Sequence, residues 1–142
     1  MSAKKTSANW YIATTHYLTA GLVVPFIGSI ILAFVFRSLN ISDLPRGLIG
    51  LIASPIIVYL GVMYAARYVN RSYVINDPMK IVRLSTIYLA ILSLGFLATS
   101  TAFVISRGIE FDPIPLLITL MTDLIDIPVF YIASKKYIAR SA

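Results

Sequence analysis

Cysteine is absent from the 142 residues, and histidine and tryptophan occur once each, as His16 and Trp10. Without cysteine there are no disulfides, no thiolate metal sites, no iron–sulfur clusters and no cysteine nucleophile. A single histidine rules out a bis-histidine haem built from one chain. Charge is scarce as well. Only 13% of residues are charged and only six are acidic, whereas a soluble domain carries about 25% charged residues. Phosphate-binding glycine loops, the HExxH metal motif and the GxSxG nucleophile elbow are all missing. No nucleophile lies beside a base, so no catalytic activity and no cofactor or metal is expected.

What the chain has in quantity is apolar surface. Hydrophobic residues make up 58% of it and the mean hydropathy is +0.85. The net charge is +6, but the basic residues flank apolar spans instead of alternating with aromatics. That distribution argues against nucleic acid and for contact with anionic lipid headgroups.

Four predominantly apolar stretches, over about 10–36, 47–66, 84–106 and 113–134, are each long enough to cross a bilayer, which takes about 20 residues. The expectation is an all-α integral membrane protein, residues 1–142 forming one domain of four transmembrane helices. The first stretch is too long for the apolar core of a cleaved signal peptide, which is ~7–15 residues. Trp10 and Tyr11 suit its interfacial start. Pro45 and Pro113 sit where a helix can begin. Arg67–Arg83 is the longest polar segment, with room for a small interfacial helix at most.

Orientation follows from the basic residues. The N-terminus, the middle connection and the C-terminus hold nine Lys and Arg (Lys4, Lys5, Arg67, Arg71, Lys80, Arg83, Lys135, Lys136 and Arg140). The other two connections hold three, Arg37, Arg46 and Arg107, together with the acids Asp43, Glu110 and Asp112. The basic excess marks the cytoplasmic side. Both termini are therefore expected in the cytoplasm, with the chain in the cell membrane.

The two halves also read alike. Pro55, Tyr64, Ala66 and Arg67 recur at the same spacing as Pro128, Tyr137, Ala139 and Arg140. Thr15-His16-Tyr17-Leu18 resembles Thr86-Ile87-Tyr88-Leu89. A duplicated helical hairpin, a parallel repeat about the membrane normal, would produce this pattern. In that alignment Asp126 matches Ala53 and Asp123 matches Gly50, so the acids would look across at the small-residue face of the second helix.

That face, Gly47, Gly50 and Ala53, is spaced for close helix packing. Asp123 and Asp126 are the departure from an otherwise apolar pattern. They lie three residues apart on one helix face, with Asp123 near the middle of its span. An Asp at a helix centre costs on the order of 2.5–3.5 kcal/mol to insert. Three roles can offset that cost: a proton or cation site, hydrogen bonds to hydroxyls such as Thr99, Thr101 and Thr122, or docking against a partner's basic side chain. His16 lies at a depth from which Asp126 could be reached, but the three residues match no metal-ligand spacing. The leading expectation is a non-enzymatic accessory subunit of a larger membrane complex, for example an energy-transducing or oxidoreductase complex. The alternative is a small self-associating proton- or cation-coupled transporter or channel using Asp123 and Asp126.

Overall fold

Apolar runs with few breakers favour helix, and proline and polar residues decide where each helix starts. The computed structural model describes residues 6–7, 10–108 and 112–138, with side chains from residue 14 onward except at 16, 20 and 43. It contains four long helices: α1 (Trp10–Ser38), α2 (Asp43–Ser72), α3 (Pro78–Ser106) and α4 (Pro113–Tyr137). All four are long and apolar enough to span a membrane, with mean hydropathies of 2.4, 2.1, 2.0 and 1.8 in chain order. They are compatible with a multi-pass membrane protein.

The boundaries follow local chemistry. Asp77 accepts a hydrogen bond from the Lys80 amide at 3.0 Å and Asp112 from the Ile114 amide at 2.9 Å. Each of these caps precedes a proline in the first turn, where the missing N–H is not needed. At the end of α1, Asn40 takes φ 50°. The amides of Ile41 and Asn40 then close onto the carbonyls of Phe36 and Arg37 at 3.0 and 3.2 Å, which ends the helix in a left-handed cap. Gly108, at φ 64°, follows the end of α3 in the same conformation.

The middle connection differs from its expectation. Arg67–Arg83 is not one polar segment: α2 continues to Ser72 and α3 begins at Pro78, leaving only residues 73–77 between them. Long basic side chains account for this. Arg67, Arg71, Lys80 and Arg83 can lay their methylenes along the helix and hold their charges beyond the apolar zone, so the helices overrun it. At 30 residues, α2 is about 45 Å long. A short parallel ladder is a further departure from a purely helical chain. Strand β1 (Thr6–Ser7) pairs with β2 (Tyr73–Val74), Thr6 opposite Tyr73 and Ser7 opposite Val74.

Helices α2 and α4 run parallel through the middle of the bundle: Gly47 meets Ile118, Ser54 meets Asp126, and Asn70 meets Tyr137. Helix α1 runs antiparallel along α2, with Gly28 against Ile57, Pro25 against Gly61 and Gly21 against Ala65. Helix α3 packs on the other flank, chiefly against α4.

Packing is unequal along this axis. The buried cluster of Tyr17, Val62, Ala65, Ala66, Val69, Ile81, Val82, Phe130, Ala133 and Ile138 lies at the end that holds the 73–77 connection. At the opposite end the buried hydrophobic residue is Phe36. Large apolar side chains such as Phe26, Phe34 and Phe96 are 67, 70 and 74% exposed, a surface suited to lipid or to another chain. The bundle is closed at one end and open at the other.

Candidate functional site

The open half is organised around a cleft. Helix α2 supplies its floor through Arg46, Gly47, Gly50, Ser54 and Ile57. Helix α1 supplies one wall through Pro25, Ser29, Leu32, Ala33 and Phe36. Helix α4 supplies the other through Ile118, Thr119, Thr122 and Asp123. The enclosed volume is about 370 Å³. From Arg46 to Ser54 the floor is eight residues long, about 12 Å of helix.

Asp126 marks the inner end, where α4 meets α2. Its Oδ2 accepts a hydrogen bond from Ser54 Oγ at 2.5 Å. Its Oδ1 is buried and has no hydrogen-bond partner among the described residues. A buried acceptor in that position is costly to leave unmatched, on the order of 1–3 kcal/mol. Asp123, one turn toward the open end, is half-buried and lines the cleft. Neither acid forms an ion pair among the described residues. The basic side chain of the lining, Arg46, donates to the Ile41 carbonyl at 2.9 Å.

The hydroxyl groups nearby do not serve the acids as expected. Thr122 donates to the Ile118 carbonyl at 2.8 Å, Thr101 to Leu97 at 2.8 Å and Thr99 to Gly95 at 2.9 Å. Each bonds back one turn along its own helix, the usual resort of a hydroxyl in an apolar helix. Thr119 and Ser29 do the same to Pro115 and Pro25. The hydroxyl that reaches an acid is that of Ser54, on the facing helix. The remaining lining polar atoms of Ser29, Thr119, Thr122 and an ionised Asp123 act only as acceptors. This favours an occupant that brings positive charge and donors.

The small residues of α2 divide in role. A Cβ at Gly47 would lie 2.7 Å from Ile118 Cδ1, so Gly47 is where α4 presses onto α2. A Cβ at Gly50 would meet nothing within 4 Å; Gly50 is open floor. Ala53 is half-buried beside Ser54. The side chain of His16 lies outside the described residues. Among those residues no group of three or more His, Asp or Glu is arranged to hold a metal ion.

Two polar clusters escaped the sequence reading, and both sit at the packed end. Tyr17 is buried, hydrogen-bonded to Ser134 at 2.6 Å and tilted against Phe130 at 5.9 Å between ring centroids. Tyr59 and Tyr137 share a hydrogen bond of 2.7 Å, and Lys136 donates to Tyr59 at 3.0 Å from above both rings. A buried phenol needs a partner, so Tyr17 beside a later Ser in a closing helix was the available signal.

No family model matches this sequence, and comparison with curated proteins and with solved structures gives no match either. The functional reading therefore rests on the cleft itself.

Proposed function

We propose that this chain is a non-enzymatic subunit of a multi-subunit membrane assembly, and that its cleft receives part of a partner chain. The observation that carries the reading is Asp123: a carboxylate without a partner among the described residues, on the wall of an open, mostly apolar cleft halfway along a long helix. A carboxylate in hydrocarbon calls for a counter-charge or a donor, and the one basic residue of the lining, Arg46, sits in the first turn of α2 and donates to the Ile41 carbonyl. The broad exposed apolar faces of the open half add room for helix contacts.

In this proposal the chain lies in the cell membrane with both termini cytoplasmic. The nine-to-three partition of Lys and Arg supports that orientation. The fold gathers Thr6–Ser7, the 73–77 connection and Ile138 at one end of the bundle, which supports a shared side for them. The basic end would then face anionic headgroups of the inner leaflet. The pairing of α2 with α4, each flanked by the helix before it, is the arrangement that a duplicated hairpin would produce.

The test is a mild-detergent pull-down of the tagged chain beside an Asp123→Asn/Asp126→Asn variant. Defined membrane partners that co-purify with the wild type and are lost with the variant are the expected result. A wild-type chain that comes away alone as a stable oligomer overturns the assembly reading. The acceptor-only lining supports a second reading, a self-associating proton- or cation-coupled transporter. Flux in liposomes that is unchanged by Asp123→Asn removes it.

A further inference from the structure

We infer that the occupant of the cleft is a single transmembrane helix of a different protein, carrying one Lys or Arg that meets Asp123 about eight to ten residues in from its outer end. This inference rests on the assembly reading and names the partner's chemistry.

Each property of the occupant follows from a feature of the cleft. Its backbone must be helical, because a segment entering from hydrocarbon has to satisfy its own amides and carbonyls. It can approach closely because the floor at Gly50 is bare: a Cβ there would have nothing within 4 Å, and small residues at a helix face permit close backbone contact. The lips are accessible from the side, since Ser29, Ala33 and Thr119 are exposed. Its polar group is cationic, because beyond Arg46 at the mouth the cleft offers the Asp123 carboxylate and hydroxyl acceptors, while the hydroxyl protons are already given to Pro25, Pro115, Ile118 and Asp126.

The chain cannot supply that cation to another copy of itself. Its spans over 10–36, 47–66, 84–106 and 113–134 contain no Lys or Arg, so no second copy carries one at the depth of Asp123. The depth also fixes the position. Asp123 lies ten residues into α4, about 15 Å from that helix's outer end. A partner helix with a lone basic residue at this level is itself costly to insert, and pairing relieves both chains at once.

The experiment uses the full chain in neutral phosphatidylcholine vesicles with a fluorescent label at the cytoplasmic end. Its probes are labelled synthetic Leu/Ala helices of about 23 residues that carry Lys, Leu or Glu at the matching depth. Energy transfer reports association. The Lys helix should bind the wild type about tenfold more tightly than the Leu helix, and the Glu helix least. Asp123→Asn should erase the Lys preference. Gly50→Leu, which fills the floor without touching an acid, should weaken both helices. Gly95→Leu, on an α3 position equally open, should change neither.

Equal binding of the Lys and Leu helices to the wild type overturns the inference, as does a Lys preference that survives Asp123→Asn. Saturable binding of butylammonium with no binding of any helix also overturns it, and assigns the cleft to a free cation. The pull-down separates the two failures. Partners captured through the acids while the Lys and Leu helices bind alike sink the basic-helix assignment alone. A wild-type chain without partners sinks the assembly reading.

Discussion

At Gly61 α2 lies directly against Pro25 and the Gly21 carbonyl of α1, and Gly61→Ala is the sharpest test of the packing. A Cβ added there would lie 2.8 Å from Pro25 Cδ, 3.0 Å from the Gly21 carbonyl oxygen and 3.2 Å from Pro25 Cγ. Carbon pairs are comfortable at about 3.5–4.0 Å, so the methyl overlaps all three atoms. None can swing aside: two belong to a proline ring and one to the backbone. The helices must separate, and overpacking of this kind costs about 1–3 kcal/mol.

Gly50→Ala is the matched control, since it lies in the same helix and its new methyl would meet nothing. Both substitutions share the helix-propensity gain of about 0.5–1 kcal/mol. Their difference therefore isolates the steric term. Unfolding in mixed micelles, followed by circular dichroism against the mole fraction of SDS, should show Gly50→Ala at or slightly above wild-type stability. Gly61→Ala should fall about 1–3 kcal/mol below it. Equal stabilities for the two variants would refute the close crossing at Pro25 and with it the α1–α2 packing described here.

Three further outcomes can be checked with the same chain. Tyr17→Phe and Ser134→Ala should each destabilise by about 1–3 kcal/mol, because each leaves a buried hydroxyl alone; the double variant should lose less than the sum, and strict additivity would argue against the 2.6 Å hydrogen bond. Ser54→Ala removes the donor to Asp126 and should cost about 1–3 kcal/mol in the micelle assay, while Ser100→Ala, whose hydroxyl only bonds back to Leu97, should be nearly silent. The natural absence of cysteine makes orientation simple to read: single cysteines at Leu39 and Arg107 should react with an impermeant maleimide on intact cells and one at Asn76 should not, and the opposite pattern would reverse the membrane orientation.

The helices were legible because charge is confined to narrow bands. Arg37–Arg46, Arg67–Arg83 and Arg107–Asp112 punctuate the apolar runs, and each run forms the body of one helix. Their lengths were less legible, since Arg67, Arg71, Lys80 and Arg83 look like loop residues by polarity but can sit on a helix that overruns its apolar part. The acids stood out as soon as their spans were recognised. Their surroundings did not. In a span that is apolar all round, hydrophobicity cannot separate the face toward a neighbour from the face toward lipid. Gly47, Gly50 and Ala53 therefore read as one packing face, while the fold presses Gly47 against Ile118 and leaves Gly50 bare. For the same reason Tyr17 and Tyr88 look equivalent in sequence, yet Tyr17 is fully buried and Tyr88 is 46% exposed.

The two acids divide the molecule where its packing changes. Below them Tyr17, Phe130 and the small residues Ala65, Ala66 and Ala133 are buried in one packed cluster. Above them α1 and α4 stand apart over α2 and leave the cleft. Asp126 belongs to the closed part, since Ser54 ties it to α2, and Asp123 belongs to the open part. One turn of helix thus separates an acid that joins two helices of this chain from an acid that has no hydrogen-bond or ion-pair partner among the described residues. A carboxylate at Asp123 that served only the chain's own stability would sit more cheaply as a leucine, because filling that wall with apolar volume removes the insertion cost of about 2.5–3.5 kcal/mol. The neighbouring Asp126 supplies the tie to α2, and Asp123 makes no such tie among the described residues. In the proposed assembly, its counterpart is the partner helix that the open half would receive.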